Sequence, residues 1–301
     1  MGVTGSKLGL TDNMTKRSFM LDAVHEHGGS INCMALSDDE SVLVTGSEDR
    51  SVRLWTTKTK RCDCIGILTG HENYISAVAV EEVFVFSGSA DLTIRKWDMA
   101  TCQCLVIFRG HRGRINRIIC IGDFIFSSSA DKTARAWDAD NALSIREFIG
   151  HKNGVFALVY VPVDDAADET ALPTEAERLK KKQKKKKEEG EEEKDEPKVE
   201  GRESPYRFKD MIVSGSTDGT ARSWSFETGR TLQVFKGHGG PVTKVATDVD
   251  SKLLFTASTD ATVRCWNLKS GKELRVFDGH IGAIVCMTVS RDADGKHSDG
   301  P

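Results

Sequence analysis

Short runs of β-branched and aromatic residues recur along the chain in sets of four. One set reads ISAVAV, VFVFSGS, LTIRKW and CLVIF; a later one reads VTKVAT, LLFTAS, TVRCW and ELRVF. Each run is five to seven residues long and is bounded by Gly, Asp, Asn or Ser, the pattern of a short strand between tight turns. The chain has 27 glycines and only 6 prolines, which suits many such turns. The pattern predicts an all-β chain of four-stranded sheets. One such sheet cannot bury both of its faces, so neighbouring sheets must cover them.

The five tryptophans set the phase of this repeat. They are Trp55, Trp97, Trp137, Trp224 and Trp266, at spacings of 42, 40, 87 and 42. Six residues before each stands an aspartate: Asp49, Asp91, Asp131, Asp218 and Asp260. Two residues before each aspartate stands a serine: Ser47, Ser89, Ser129, Ser216 and Ser258. Arg53, Arg95, Arg135, Arg222 and Arg264 precede the tryptophans by two. A Gly-His pair recurs at His71, His111, His151, His238 and His280, and His27 fills the same place in the first unit without the glycine.

A period of about 40 residues with Gly-His near one end and a Trp-Asp-like pair near the other resembles the WD-repeat family, whose units fold as blades of a β-propeller. The resemblance covers roughly residues 25–289. It departs from the family after the tryptophan, where Asp stands only at Asp98 and Asp138, with Thr56, Ser225 and Asn267 elsewhere. It implies a propeller with five complete units and the first strand of a sixth, AIVCMTV, incomplete or irregularly closed. A polar tail, 290–301, follows where a second strand is expected, which suggests a shortened form of a longer propeller. The resemblance further implies that Trp, Ser, His and Asp form one hydrogen-bonded chain in each blade.

Ser, His and Asp together also suggest hydrolase chemistry. A catalytic set occurs once, however, and this one recurs five times. The sequence has no GxSxG elbow, phosphate loop or HExxH. Cys62 with Cys64 and Cys102 with Cys104 fall at the starts of predicted outer strands and lack zinc-ligand spacing. The reading is therefore of a chain without catalytic residues, metal or cofactor.

The net charge of −3 and pI near 6.3 argue against nucleic acid as a partner. No apolar run approaches the length of a membrane span, and the N-terminus lacks the apolar core of a secretory signal. The expected location is the cytoplasm, with the nucleus or a membrane surface as variants. Charge concentrates in an insertion, residues 163–206, with 11 Lys plus Arg and 15 Asp plus Glu. Lysine fills seven of the eight positions from Lys180 to Lys187, a pattern seen in import signals and polyanion-binding patches. A short solvated helix is predicted over 174–188, inside an otherwise disordered segment. Residues 1–24 form an N-terminal tail with a strand near 18–23. There Gly2 and Ser6 fit an N-myristoylation pattern, which by itself gives only weak membrane binding.

The expected function is a non-enzymatic scaffold or adaptor that binds other proteins on propeller loops. The candidate rim is Tyr74, Arg112, Arg114, Lys152 and Asn153, in the loops that follow the histidines. Its basic residues suggest acidic or phosphorylated peptides as ligands. The alternative is substrate recognition within a ubiquitin ligase. The tetrapeptides WTTK, WDMA, WDAD, WSFE and WNLK all lack the terminal Arg of one ligase-adaptor signature.

Overall fold

A computed structural model describes residues 26–59, 62–162, 210–248 and 250–289. Gly2, the strand predicted near 18–23, the insertion 163–206 with its lysine run and predicted helix, and the tail 290–301 lie outside the described residues.

Twenty described strands form five antiparallel sheets, each of four strands in chain order. The first holds β1 (Ile31–Leu36), β2 (Val42–Ser47), β3 (Val52–Thr56) and β4 (Cys64–Leu68). The second holds β5 (Ile75–Glu81), β6 (Phe84–Ser89), β7 (Ile94–Asp98) and β8 (Cys104–Phe108). The third holds β9 (Ile115–Ile121), β10 (Phe124–Ser129), β11 (Thr133–Asp138) and β12 (Ser144–Ile149). The fourth holds β13 (Val155–Val161), β14 (Met211–Ser216), β15 (Thr220–Ser225) and β16 (Thr231–Lys236). The fifth holds β17 (Val242–Thr247), β18 (Leu253–Ser258), β19 (Val263–Asn267) and β20 (Glu273–Phe277). The insertion joins β13 to β14, which pair in the same register as their counterparts in other sheets.

The first strands β1, β5, β9, β13 and β17 lie side by side in that order around a channel of about 750 Å³. Residues 287–289 line the same channel. The segment 283–289, expected as a sixth first strand, runs beside β17 without forming a ladder of its own. The Ile284 amide donates to the Ser258 carbonyl (3.1 Å), and Thr243 Oγ1 donates to the Ile284 carbonyl (2.6 Å). A strand needs a paired neighbour, and among the described residues no second strand flanks this one.

Each inner strand carries a bulge after its first residue, at Asn32, Ser76, Asn116, Phe156 and Thr243. A bulge re-aims the extra side chain out of the sheet, and here that direction is toward the next sheet.

Between sheets, Trp97, Trp137, Trp224 and Trp266 each pack into the sheet before their own. Trp97 joins Leu54, Leu68 and Ile75 of and beside the first sheet. Trp137 meets Phe108 at a centroid distance of 6.0 Å, Trp224 meets Phe148 at 5.9 Å and Trp266 meets Phe235 at 5.7 Å. Burying about 200 Å² of indole contributes about 5 kcal/mol before entropy is counted, so these four seams carry much of the packing energy. Lys96 adds a polar clamp at one of them. Its ammonium lies 4.2 Å from the Phe84 ring centroid and donates to the Ala139 carbonyl (3.3 Å) and to Asp140 (3.0 Å).

The turns explain the paired cysteines. Cys62 and Cys102 occupy left-handed turn positions, φ 48° and 58°, rather than strand positions. Cys64 and Cys104 open β4 and β8. All eight cysteines are free.

Phe277 holds the place in β20 that Phe108 holds in β8, and it has no following tryptophan to meet. It is 40% exposed, against 1% for Phe108. Phe108→Ala should therefore cost about 3–5 kcal/mol in urea unfolding, whereas Phe277→Ala should cost less than about 1 kcal/mol. Equal costs would refute the seam as the main packing element.

Candidate functional site on the Gly-His face

One end of the sheets gathers the histidine loops and the turns between second and third strands. In the second sheet, Trp97 Nε1 donates to Ser87 Oγ (2.7 Å) and Ser87 Oγ lies 2.8 Å from His71 Nε2. His71 Nδ1 lies 2.7 Å from Asp91 Oδ2. With a neutral imidazole protonated on Nδ1, each donor finds an acceptor: indole to hydroxyl, hydroxyl to imidazole, imidazole to carboxylate. The carboxylate also accepts the Glu72 amide and both the amide and hydroxyl of Thr93, which ties the loop to the turn.

The same chain recurs as Trp137–Ser127–His111–Asp131 and Trp224–Ser214–His151–Asp218. Threonine supplies the hydroxyl in Trp55–Thr45–His27–Asp49 and Trp266–Thr256–His238–Asp260. The central hydroxyl therefore stands ten residues before the tryptophan. This corrects the assignment of Ser47, Ser89, Ser129, Ser216 and Ser258 to the chain. Ser89 instead accepts the Asp91 amide and donates to the Tyr74 carbonyl, latching the turn, and Ser216 does the same with Asp218 and Gly154. Hydroxyls at both positions recur in perfect phase, two residues apart on one strand face, so spacing alone does not separate them. The hydroxyls Thr45, Ser87, Ser127, Ser214 and Thr256 are the residues that sequence reasoning left out.

Ser87, Ser127 and Ser214 are fully buried beneath their tryptophans, out of reach of any substrate. In this geometry each of these hydroxyls is spent on its tryptophan and histidine. The glycine before each histidine has a packing cause. A Cβ on Gly70 would come within 2.6 Å of Arg95 Nη1, whose guanidinium carbon lies 5.8 Å from the Trp97 centroid. In the first unit Glu26 takes that place and instead pairs with Arg53 at 2.7 Å. Among the described residues no group of three or more His, Cys, Asp or Glu side chains is placed to hold a metal ion.

The candidate rim divides. Arg114 Nη1 donates to the Tyr74 hydroxyl (3.2 Å), and Nε donates to Asn116 Oδ1 (3.1 Å). Its guanidinium carbon lies 5.7 Å from the centroid of Phe156. Three consecutive sheets thus contribute to one aromatic–guanidinium–aromatic cluster. Phe156 and Asn116 were not among the sequence candidates, because no single unit marks them as unusual until the sheets are set side by side. Arg112 does not join. Its side chain lines a separate groove with Asp131, Thr133, Arg135, Glu147 and Ile149. Lys152 and Asn153 are exposed on the next loop. The Lys152 amide caps Asp218, and the Asn153 carbonyl accepts from Ser216 Oγ.

Burial by itself raises the network carboxyls. The hydrogen bonds from hydroxyl, amide and imidazole outweigh it and hold Asp49, Asp91, Asp131, Asp218 and Asp260 below the ordinary carboxylate range, Asp218 at about 2. Burial also pushes the His151 imidazole below its ordinary value, against the pull of Asp218.

Two predictions follow from this chain of bonds. Ser87→Ala strands a buried indole N–H and a buried imidazole nitrogen, and should cost about 2–4 kcal/mol in chemical unfolding; a loss below about 0.5 kcal/mol would contradict the central place given to Ser87. The carboxyls titrate lower in the folded than in the unfolded chain, so their contribution is complete above 3.8 and is lost as pH falls through their folded values. His151 acts in the same direction, since its neutral form is favoured by folding and that advantage fades below pH 6.5. The melting temperature should decline gently below about pH 6.5 and steeply below about pH 4. A flat profile to about pH 3 would remove the carboxylates from the stability account.

The comparisons with known proteins agree with the repeat. The model of the WD domain, G-beta repeat family matches residues 20–56, 62–98, 102–138 and 229–267. Strands β13–β15 of the fourth sheet, interrupted by the insertion, lie outside the matched segments, yet they carry the same network. Mitochondrial division protein 1 of Saccharomyces cerevisiae is 32% identical over 90 residues, 24% of this chain and 13% of that protein. WD repeat-containing protein 86 of Homo sapiens is 40% identical over 62 residues, 21% of this chain and 16% of that protein. A guanine nucleotide-binding protein subunit beta-like protein of Encephalitozoon cuniculi is 33% identical over 95 residues, 30% of this chain and 28% of that protein. The chain thus matches well under two thirds of each relative's length. Among solved structures, the computationally designed Ika8 protein superposes with a TM-score of 0.64 at 23% identity, covering 88% of this chain and 67% of that one, a likeness of fold. With five four-stranded sheets around a channel and one Trp–hydroxyl–His–Asp chain per sheet, this protein belongs to the WD-repeat family.

Proposed function

We propose that the protein is a non-enzymatic interaction scaffold that binds partner proteins on its Gly-His face, and that its ligands are acidic or phosphorylated peptides. Membership of the WD-repeat family and the repeat-bearing relatives support the scaffold role. The observation that carries the binding face is the Tyr74–Arg114–Phe156 cluster. It sets the exposed Arg114 guanidinium and the exposed Phe156 ring beside a half-buried Tyr74, next to loops held by the buried networks. Aromatic residues and arginine anchor interfaces because they offer large contact area at low entropic cost. Function tends to sit on loops positioned by a stiff frame. The burial of the repeated serines favours the same reading over hydrolysis.

The test is affinity capture with mass spectrometry, comparing the chain with an Arg112→Glu, Arg114→Glu variant. Both side chains are exposed, so the variant should keep its melting temperature within about 2 °C, as surface substitutions do. It should lose its specific partners about tenfold or more, as expected when interface anchors are reversed. Retention of all partners by the folded variant would rule out this face.

A further inference from the structure

The bulge residues stitch the inner strands together. Asn32 Nδ2 donates to the Ile75 carbonyl (2.9 Å), Ser76 Oγ to the Ile115 carbonyl, Asn116 Nδ2 to the Val155 carbonyl (2.7 Å) and Thr243 Oγ1 to the Ile284 carbonyl (2.6 Å). Each bond runs from one sheet to the first residue of the next inner segment. Phe156 occupies the same register position, skipped in the pairing of Val155 with Ser216 and Ala157 with Gly215. A phenyl ring cannot donate, so the junction of the fourth and fifth sheets gives up the bond that its neighbours keep. The ring is 36% exposed. A repeat that breaks its own rule, losing a hydrogen bond to display an aromatic side chain, is the mark of a functional position.

Phe156 also stacks against Arg114. That guanidinium uses Nε and Nη1 within the protein and keeps further N–H groups for a ligand. Among the described residues it has no ion-pair partner. Three residues on, Arg117 lines the channel. Lys244 stands at the same register position on β17, and its ammonium is pushed below its ordinary value by burial and then by the charge of Arg117. Asp248 lies on the channel wall at the other end of β17, where its carboxylate accepts the Lys252 and Leu253 amides. Along the channel wall, positive charge therefore lies toward the Gly-His end and negative charge toward the other.

Spacing selects among anionic ligands. The bulge at Asn116 takes one residue out of the spacing, so Arg114 and Arg117 stand about two strand steps, roughly 7 Å, apart along the strand. They spread along the channel mouth instead of converging on one tetrahedral group. An extended peptide presents same-face side chains about 7 Å apart, a match for successive carboxylates.

We propose that partners dock at this mouth through an extended acidic segment. One carboxylate takes the remaining N–H groups of Arg114, an adjoining apolar side chain covers Phe156 and Tyr74, and a second carboxylate reaches Arg117. This rests on the reading of the Gly-His face as the binding face.

The test is fluorescence anisotropy on the full chain with three labelled synthetic peptides: Gly-Asp-Leu-Asp-Leu-Asp-Gly, its Lys-for-Asp counterpart, and Gly-Ser-Leu-phosphoserine-Leu-Ser-Gly. The acidic peptide should bind, the basic one should not, and the phosphoserine peptide should bind more weakly than the acidic one. Arg114→Glu and Phe156→Asn should each weaken acidic-peptide binding about tenfold or more. Asparagine at 156 can donate to the Val242 carbonyl as Asn116 does to Val155, so Phe156→Asn should melt at or above the temperature of the unaltered chain. Undiminished binding in either variant, or tighter binding of the phosphoserine peptide, overturns the proposal. If the acidic peptide fails to bind while the Arg112→Glu, Arg114→Glu variant still loses its captured partners, the acidic-segment proposal falls and the binding face stands. If the peptide fails and the variant keeps its partners, both fall.

Discussion

A tryptophan buried between two sheets brings its indole N–H into a place without water, and that donor must be satisfied there. In this protein a hydroxyl ten residues earlier accepts it, passes its own proton toward a histidine, and the histidine is held by an aspartate. The aspartate in turn collects the amides of the histidine loop and of the following turn. Core packing and surface-loop geometry are thereby joined in one hydrogen-bonded chain. Removing any middle member leaves a buried polar group without a partner, which costs more than the bond itself contributes. The chain recurs in all five sheets, so the loops of the Gly-His face are fixed at five points around the channel.

Against so regular a frame, departures become informative. Lys96 stands where Leu54, Ala136, Ser223 and Cys265 stand in the other sheets, and its ammonium bridges to the next sheet through Ala139 and Asp140. That departure has a structural outcome, since the charge is paired and lies over Phe84. Phe156 departs in the opposite sense. It removes a bridge between sheets and places a ring at the surface beside Arg114. One departure adds a bridge between sheets and the other gives one up.

Electrostatics follows the same local logic. The chain as a whole is close to neutral, with 42 basic and 45 acidic side chains. Its bulk charge therefore says little about partners. Arg117 nevertheless lines the channel, with Lys244 at the same register position on β17, while Asp248 is turned into a tight loop at the far end. The five network aspartates are held by hydrogen bonds within the protein, while Arg114 and Arg117 are exposed.

The sequence by itself determined the repeat, the four-strand unit and the strands of the units it spelled out to within a residue or two. These depend on alternation, turn residues and a buried tryptophan in each unit, all of which are local and periodic. The recurring His, Asp and Trp positions are the ones that the structure joins in the networks. Sequence reasoning missed the central hydroxyl because Ser87 and Ser89 share one strand face and one period, and only the approach of Trp97 from across the ladder chooses between them. The rim was legible as a set of exposed basic and aromatic residues, but its grouping was not. Tyr74, Arg114 and Phe156 are about 40 residues apart in the chain and meet only because three sheets stand side by side. Arg112, two residues from Arg114, faces a different groove. Which side chains share a surface is decided by the angle between sheets and by bulges that re-aim a residue, and neither leaves a periodic trace in the sequence.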